Sequence, residues 1–209
     1  MTTTTVPTAP TAANPSQLAL PSGQRPRPRN LLNIGVLVVV TGGVALFTTL
    51  IAAYVSIGHA AKAWPPGGVT LDVYTGNMLA ITALMSAVTV EWASYAVKKG
   101  DPAQGTWGLL LTAGFGAGFL LLLWQLGSKI GFGPGSAKIG PFAVVFFAML
   151  ASSGAVTLLG IFALLMVLAR VLGHQMTDTN SEMLRAVAWY WDFVVVAWLA
   201  VFSAVWLFT

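Results

Sequence analysis

The chain has 209 residues, of which 56% are hydrophobic and only 8% charged, and its mean hydropathy is +0.80. A soluble domain carries roughly 25% charged residues. Ten basic and six acidic side chains cannot coat a globular surface, so lipid is the solvent for most of this chain. The formal charge of +4 and pI near 9.7 do not indicate a nucleic-acid partner, because Lys and Arg sit as short flanks between apolar runs and form no basic face. The absence of Cys excludes disulfides, thiolate metal sites, iron–sulfur clusters and thioether-linked haem. His59 and His174 both fall outside the long apolar runs, so this chain alone cannot ligate a haem with two histidines inside a membrane.

Residues 1–30, rich in Thr, Ala and Pro and ending in Arg25-Pro-Arg-Pro-Arg29, hold too little apolar surface to offset their ordering entropy and read as a disordered tail. They do not read as a secretory signal, since the apolar run behind the arginines is too long and lacks a small-residue cleavage pattern. Residues 31–209 then form one membrane domain of five apolar segments, about 31–57, 73–97, 107–126, 142–171 and 187–208. At about 1.5 Å of rise per residue, each matches or exceeds a hydrocarbon core of roughly 30 Å. Continuous rather than alternating apolarity excludes a β-barrel, and the fold class is an all-α bundle of five transmembrane helices. With the tail inside, Arg25, Arg27, Arg29, Lys98, Lys99, Arg170 and Arg185 face the cytoplasm, against Lys62, Lys129 and Lys138 outside. That distribution predicts a cytoplasmic N-terminus and an external C-terminus. The remaining loops are short apart from 131–141 and the polar stretch 173–182.

Gly114-Phe-Gly-Ala-Gly118 lies in mid-helix, not between a strand and a helix, so it is no phosphate loop. Gly114 and Gly118 are expected instead to form a GxxxG seam that admits a neighbouring helix. Ser152, Ser153, Gly154 and Thr157 on the fourth helix read the same way, as do Thr82, Ser86 and Ala93 on the second. Two carboxylates, Glu91 and Asp192, fall inside apolar runs, where each would cost roughly 2.5–3.5 kcal/mol at a helix centre. Both lie about two turns, roughly 10 Å, from the cytoplasmic helix ends. Two readings stay open for them. They form a proton-relay element or subunit contact, or they reach the interface and pair with Lys98 and Arg185 along their own helices. No nucleophile–base pair, metal constellation or phosphate cradle can be assembled from what remains.

Taken in order, the aromatic and small residues resemble subunit III of the haem–copper oxidases. Ala188-Trp-Tyr-Trp-Asp-Phe-Val-Val-Val-Ala-Trp198 is similar to that family's closing Tyr-Trp-His-Phe-Val-Asp-Val-Val-Trp, with matches at Tyr190, Trp191, Phe193, Val194, Val196 and Trp198. Phe47, Leu50 and Ala52-Ala53-Tyr54 resemble its first-helix pattern. Trp64-Pro65-Pro66 falls where the family has Trp-Pro-Pro, Asn77 opens the next helix, Gln125 fits the third, and Gly154 and Gly160 fit the fourth. Gly43 stands where the family has a glutamate, and Ser153 and Val156 where it has a histidine pair. Asp192 replaces the closing-helix His, Val195 its Asp, and Ser128-Lys129 a Glu-Tyr pair. The matches span all five helices, the number found in shorter bacterial members, and the departures imply a divergent one.

The resemblance implies a non-catalytic subunit of a terminal oxidase in aerobic respiratory electron transport, in the plasma membrane of a bacterium. Its partners would be the haem-bearing subunit I, subunit II and membrane lipid. It implies phospholipid binding between helices and support of proton uptake, with haem and copper held by partner subunits and none by this chain. Two rivals stand beside it: an accessory protein of the same fold for a nitric oxide reductase, and a small membrane transporter. Transport is opposed by the lack of a mid-membrane charge and of interrupted helices.

Overall fold

A computed structural model of the chain describes residues 31–62, 64–66, 69–136, 139–173 and 178–206. Among them the regular structure is entirely helical: α1 Leu31–Ala60, α2 Val73–Lys98, α3 Pro102–Lys129, α4 Pro141–Leu172 and α5 Asp178–Trp206. All five are long and apolar enough to cross a membrane. The expected tail 1–30, His174 and Lys138 lie outside the described residues.

The segment centres coincide with the apolar runs, but several ends extend further. α3 begins at Pro102 rather than near 107, because Asp101 accepts a hydrogen bond from the Gln104 amide at 3.1 Å and Pro102 supplies a preset first-turn φ. α5 begins at Asp178 rather than 187, so part of the stretch expected as a polar loop is helix. Hydropathy marks where a helix meets lipid, not where its hydrogen-bond ladder ends. For the same reason His59 is not in a loop but on the exposed last turn of α1.

α2 through α5 close a ring in which α2 packs on α3, α3 on α4, α4 on α5 and α5 back on α2. α2 and α3 approach most closely. A Cβ on Gly108 would stand 2.9 Å from the Ala93 Cα, and one on Gly105 would collide with Val97. Thr89 and Thr112 share a 2.9 Å hydroxyl hydrogen bond across the same seam. In lipid, where apolar burial between helices gains little, such close backbone approach and hydroxyl pairing are the main attractions.

α1 is attached differently. Among the described residues its Cα atoms come within 8 Å of none of the other four helices, and large side chains bridge the gap. Tyr54 stands edge-on to Trp64 at 5.0 Å, and Trp64 edge-on to Phe142 at the same distance. Phe132 and Phe146 extend this aromatic plug, so Trp64-Pro65-Pro66, whose Trp64–Pro65 peptide is cis, anchors α1 to the start of α4. Further along α1, Phe47 meets Phe193 of α5 at 6.3 Å.

Candidate functional site: the closing helix and its carboxylate pair

α5 is the most deeply embedded helix, with 56% of its most apolar window buried, and its aromatic residues reach all four of the other helices. Trp191, 2% exposed, points to the bundle centre and donates its indole N–H to Ser86 Oγ of α2 at 3.0 Å. Tyr190 turns to α4 and donates its hydroxyl to the Val156 carbonyl at 2.8 Å. Phe193 turns to α1. Trp198, also buried, stands edge-on to Phe119 of α3 at 5.1 Å.

Glycine placement follows from these rings. A Cβ on Gly160 would lie 2.9 Å from Trp191 and 3.2 Å from Tyr190, and one on Gly116 would lie 2.7 Å from Trp191. Gly43 lies beneath the Phe193 ring, where a Cβ would come within 2.8 Å of its Cε1. The position that resembles a family glutamate is thus filled here by an aromatic side chain from α5. Gly154 faces Leu123 of α3 at a comfortable 3.4 Å.

The expected seam at Gly114 and Gly118 is absent within the chain. Nothing lies within 4 Å of a Cβ at either position, because residues 114 and 118 sit on the opposite face of α3 from its packed stripe. That stripe runs Gly105, Gly108, Thr112, Gly116, Phe119 and Leu123, all buried. Sequence reading missed Gly108 and Gly116 as packing residues. The signal was present in the four-residue spacing Gly108–Thr112–Gly116, itself a small-xxx-small pattern.

Glu91 and Asp192 lie on the packed pair α2 and α5, with Glu91 exposed and Asp192 half-buried. Among the described residues, neither carboxylate pairs with Lys98 or Arg185. Arg185 lies over the Trp189 ring at 4.9 Å, and Lys99 over Tyr95 at 4.6 Å. An aromatic face one helical turn away gives each cation a partner at the polar end of its helix. Among the described residues no group of three or more His, Asp or Glu is placed to hold a metal ion.

The model of the cytochrome c oxidase subunit III family matches residues 24–209. The cytochrome c oxidase subunit 3 of Heterololigo bleekeri is 27% identical over 181 residues, covering 83% of this chain and 69% of its own length. That of Lumbricus terrestris is 29% identical over 181 residues, with the same coverages. That of Oncorhynchus mykiss is 29% identical over 184 residues, covering 83% and 68%. These matches favour the oxidase reading over the nitric oxide reductase and transporter alternatives. Five apolar helices, a closing helix whose signature aromatics face all four other helices, and a family match across nearly the whole chain lead to one conclusion: the chain belongs to the cytochrome c oxidase subunit III family, as a multi-pass membrane component of a haem–copper oxidase complex.

Proposed function

We propose that the chain is a non-catalytic subunit packed against the haem-bearing subunit I, alongside subunit II, in a bacterial plasma membrane with its N-terminus in the cytoplasm. In this reading it holds phospholipid and supports proton uptake by the catalytic subunit. Haem and copper belong to the partners: a chain with no Cys and two His, of which His59 stands on the exposed last turn of α1, offers no fitting ligand set. The Lys and Arg distribution supports the orientation.

One observation carries the proton-linked part. Glu91 and Asp192 stand on the packed helices α2 and α5, and neither has a hydrogen-bond or ion-pair partner among the described residues. Carboxylates that lack partners in an apolar segment are expensive, and such groups mark proton paths or subunit contacts. Glu91→Gln and Asp192→Asn are expected to leave the haem content of the purified complex intact. Each should slow turnover or proton uptake modestly, or weaken association with the catalytic subunit. Normal assembly with wild-type turnover and proton uptake in both variants would reduce the pair to tolerated interfacial carboxylates. Purification of the chain as a stable oligomer without haem-bearing partners would count against the subunit role itself.

A further inference from the structure

Where α2, α3, α4 and α5 meet, the bundle leaves a small cavity, with about 10 Å³ in which the centre of a water molecule can sit. One water needs about that much, together with two to four polar partners. Its walls are mostly apolar, including Phe119 and Gly116, but four of the residues that line it carry a polar side-chain atom: Ser86, Thr157, Trp191 and Trp198. Trp198 is 1% exposed, and no acceptor among the described residues is offered to its indole N–H. An indole N–H without an acceptor loses its hydration and gains nothing in return, most severely within a membrane bundle.

The two hydroxyls are complementary to that donor. Thr157 Oγ1 donates to the Ser153 carbonyl at 2.8 Å, which leaves both of its lone pairs unused. Ser86 Oγ donates to the Ala83 carbonyl at 2.6 Å and accepts from Trp191 at 3.0 Å, which leaves one. The residues that line the cavity therefore carry one unused donor and several unused acceptor sites. Water is the smallest molecule that can accept once and donate twice.

We infer that this cavity is a binding site for a single structural water, which accepts from Trp198 Nε1 and donates to Thr157 Oγ1 and Ser86 Oγ. The water joins α2, α4 and α5 at their common centre, and it extends the Trp191–Ser86 bond to the second tryptophan of the closing helix. The site does not depend on which complex the chain joins.

High-resolution electron cryomicroscopy of the chain in its native membrane complex tests this directly. Density is expected at hydrogen-bond distance, about 3 Å, from Trp198 Nε1. It should disappear in Trp198→Phe, which keeps a ring but removes the donor, and in Thr157→Val, which keeps the shape but removes the acceptor. Thr157→Ser should restore it. Thermal midpoints should fall in both single variants, and in the double variant by no more than in the worse single, because either change releases the same water. A wild-type map that resolves comparable buried waters but none here would overturn the inference. So would density that survives in either single variant, or single-variant shifts that simply add. If Trp198→Phe fails to accumulate, the Thr157 pair decides alone.

Discussion

α1 and α5 invert the relation between hydrophobicity and burial that holds in soluble proteins. The best window of α1 has a mean hydropathy of 2.4 and is 6% buried, whereas that of α5 has 1.6 and is 56% buried. α1 exposes Ile34, Leu37 and Val38 and attaches through Phe47, Tyr54 and Trp64. α5 tolerates Tyr190, Trp191 and Ser203 because each has a hydrogen-bond partner: Val156 of α4 and Ser86 of α2 for the first two, and the Leu199 carbonyl of α5 itself for Ser203. Lipid tails are as apolar as Leu, so a helix facing lipid needs only hydropathy, whereas a helix among helices needs fit and hydrogen bonds. Hydropathy in this chain therefore measures contact with lipid, and small or polar residues mark the interior.

The largest expected effect tests that inversion at its extremes. Trp191→Ala removes a centre-facing ring and its bond to Ser86, and should cost about 3–5 kcal/mol as a large-to-small core change. Leu37→Ala, at a residue 64% exposed, should stay within about 0.5 kcal/mol as a surface change. Chemical or thermal unfolding in lipid nanodiscs reads both. A Leu37→Ala cost comparable to that of Trp191→Ala would show that the outer face of α1 is a buried contact with another subunit rather than a lipid face.

A second pair tests the two faces of α3. Gly108→Ala places its methyl 2.9 Å from the Ala93 Cα, and because backbone cannot yield as a side chain does, it should destabilise by about 1–3 kcal/mol. Gly114→Ala meets nothing within 4 Å and should stabilise by up to about 1 kcal/mol through helix propensity. Opposite signs are the expected outcome. Equal losses would place a neighbouring helix against Gly114 in the assembled complex. Smaller again is Tyr190→Phe, which removes one hydrogen bond between α5 and α4 and should cost about 0.5–1.5 kcal/mol. Its effect should be visible as faster hydrogen exchange along α4 near Val156.

How much of this was legible in the sequence differs by kind of feature. Helix number and placement were, because a run such as 142–171 admits no other structure of that length in lipid. The start of α3 was encoded in Asp101-Pro102 but hidden behind the more conspicuous apolar onset at Trp107. The orientation of the glycines was not legible. Gly114 and Gly118 share one face of α3 while Gly116, two residues from each, lies on another, and only the tertiary partner Trp191 selects Gly116. The placement of Glu91 and Asp192 on packed helices was suggested by equal depth, yet the position of Arg185 over the Trp189 ring, a contact that competes with ion pairing, was not. Gly43 was legible only as a departure from a resemblance; its physical reason, the Phe193 ring, requires the packed structure.

The smallest expected effect lies where the chain meets water, at the starts of α2 and α4. α2 begins with a side-chain cap: Asp72 accepts from the Thr75 hydroxyl at 2.6 Å and from the Thr75 amide at 3.2 Å. α4 begins after Gly140, at φ 62°, with no side-chain cap. The Thr75 hydroxyl, and after it the Thr75 amide, holds the Asp72 carboxyl below its ordinary value, with Lys129 contributing a weaker attraction. A carboxylate whose pKa is lower in the folded state stabilises that state fully above its unfolded pKa, about 3.9, and the contribution fades as pH falls through the folded value. The cap of α2 should therefore be intact at neutral pH and lost only in the acid range below about 4. Hydrogen exchange at the Thr75 and Gly76 amides, corrected for the intrinsic pH dependence, should accelerate there, while the first turn of α4 should not respond. Asp72→Asn, which caps but does not titrate, should abolish that acid response with little change at neutral pH. If the first turn of α2 shows the same acid response in Asp72→Asn as in the wild type, another group controls it and the cap is not the titrating element.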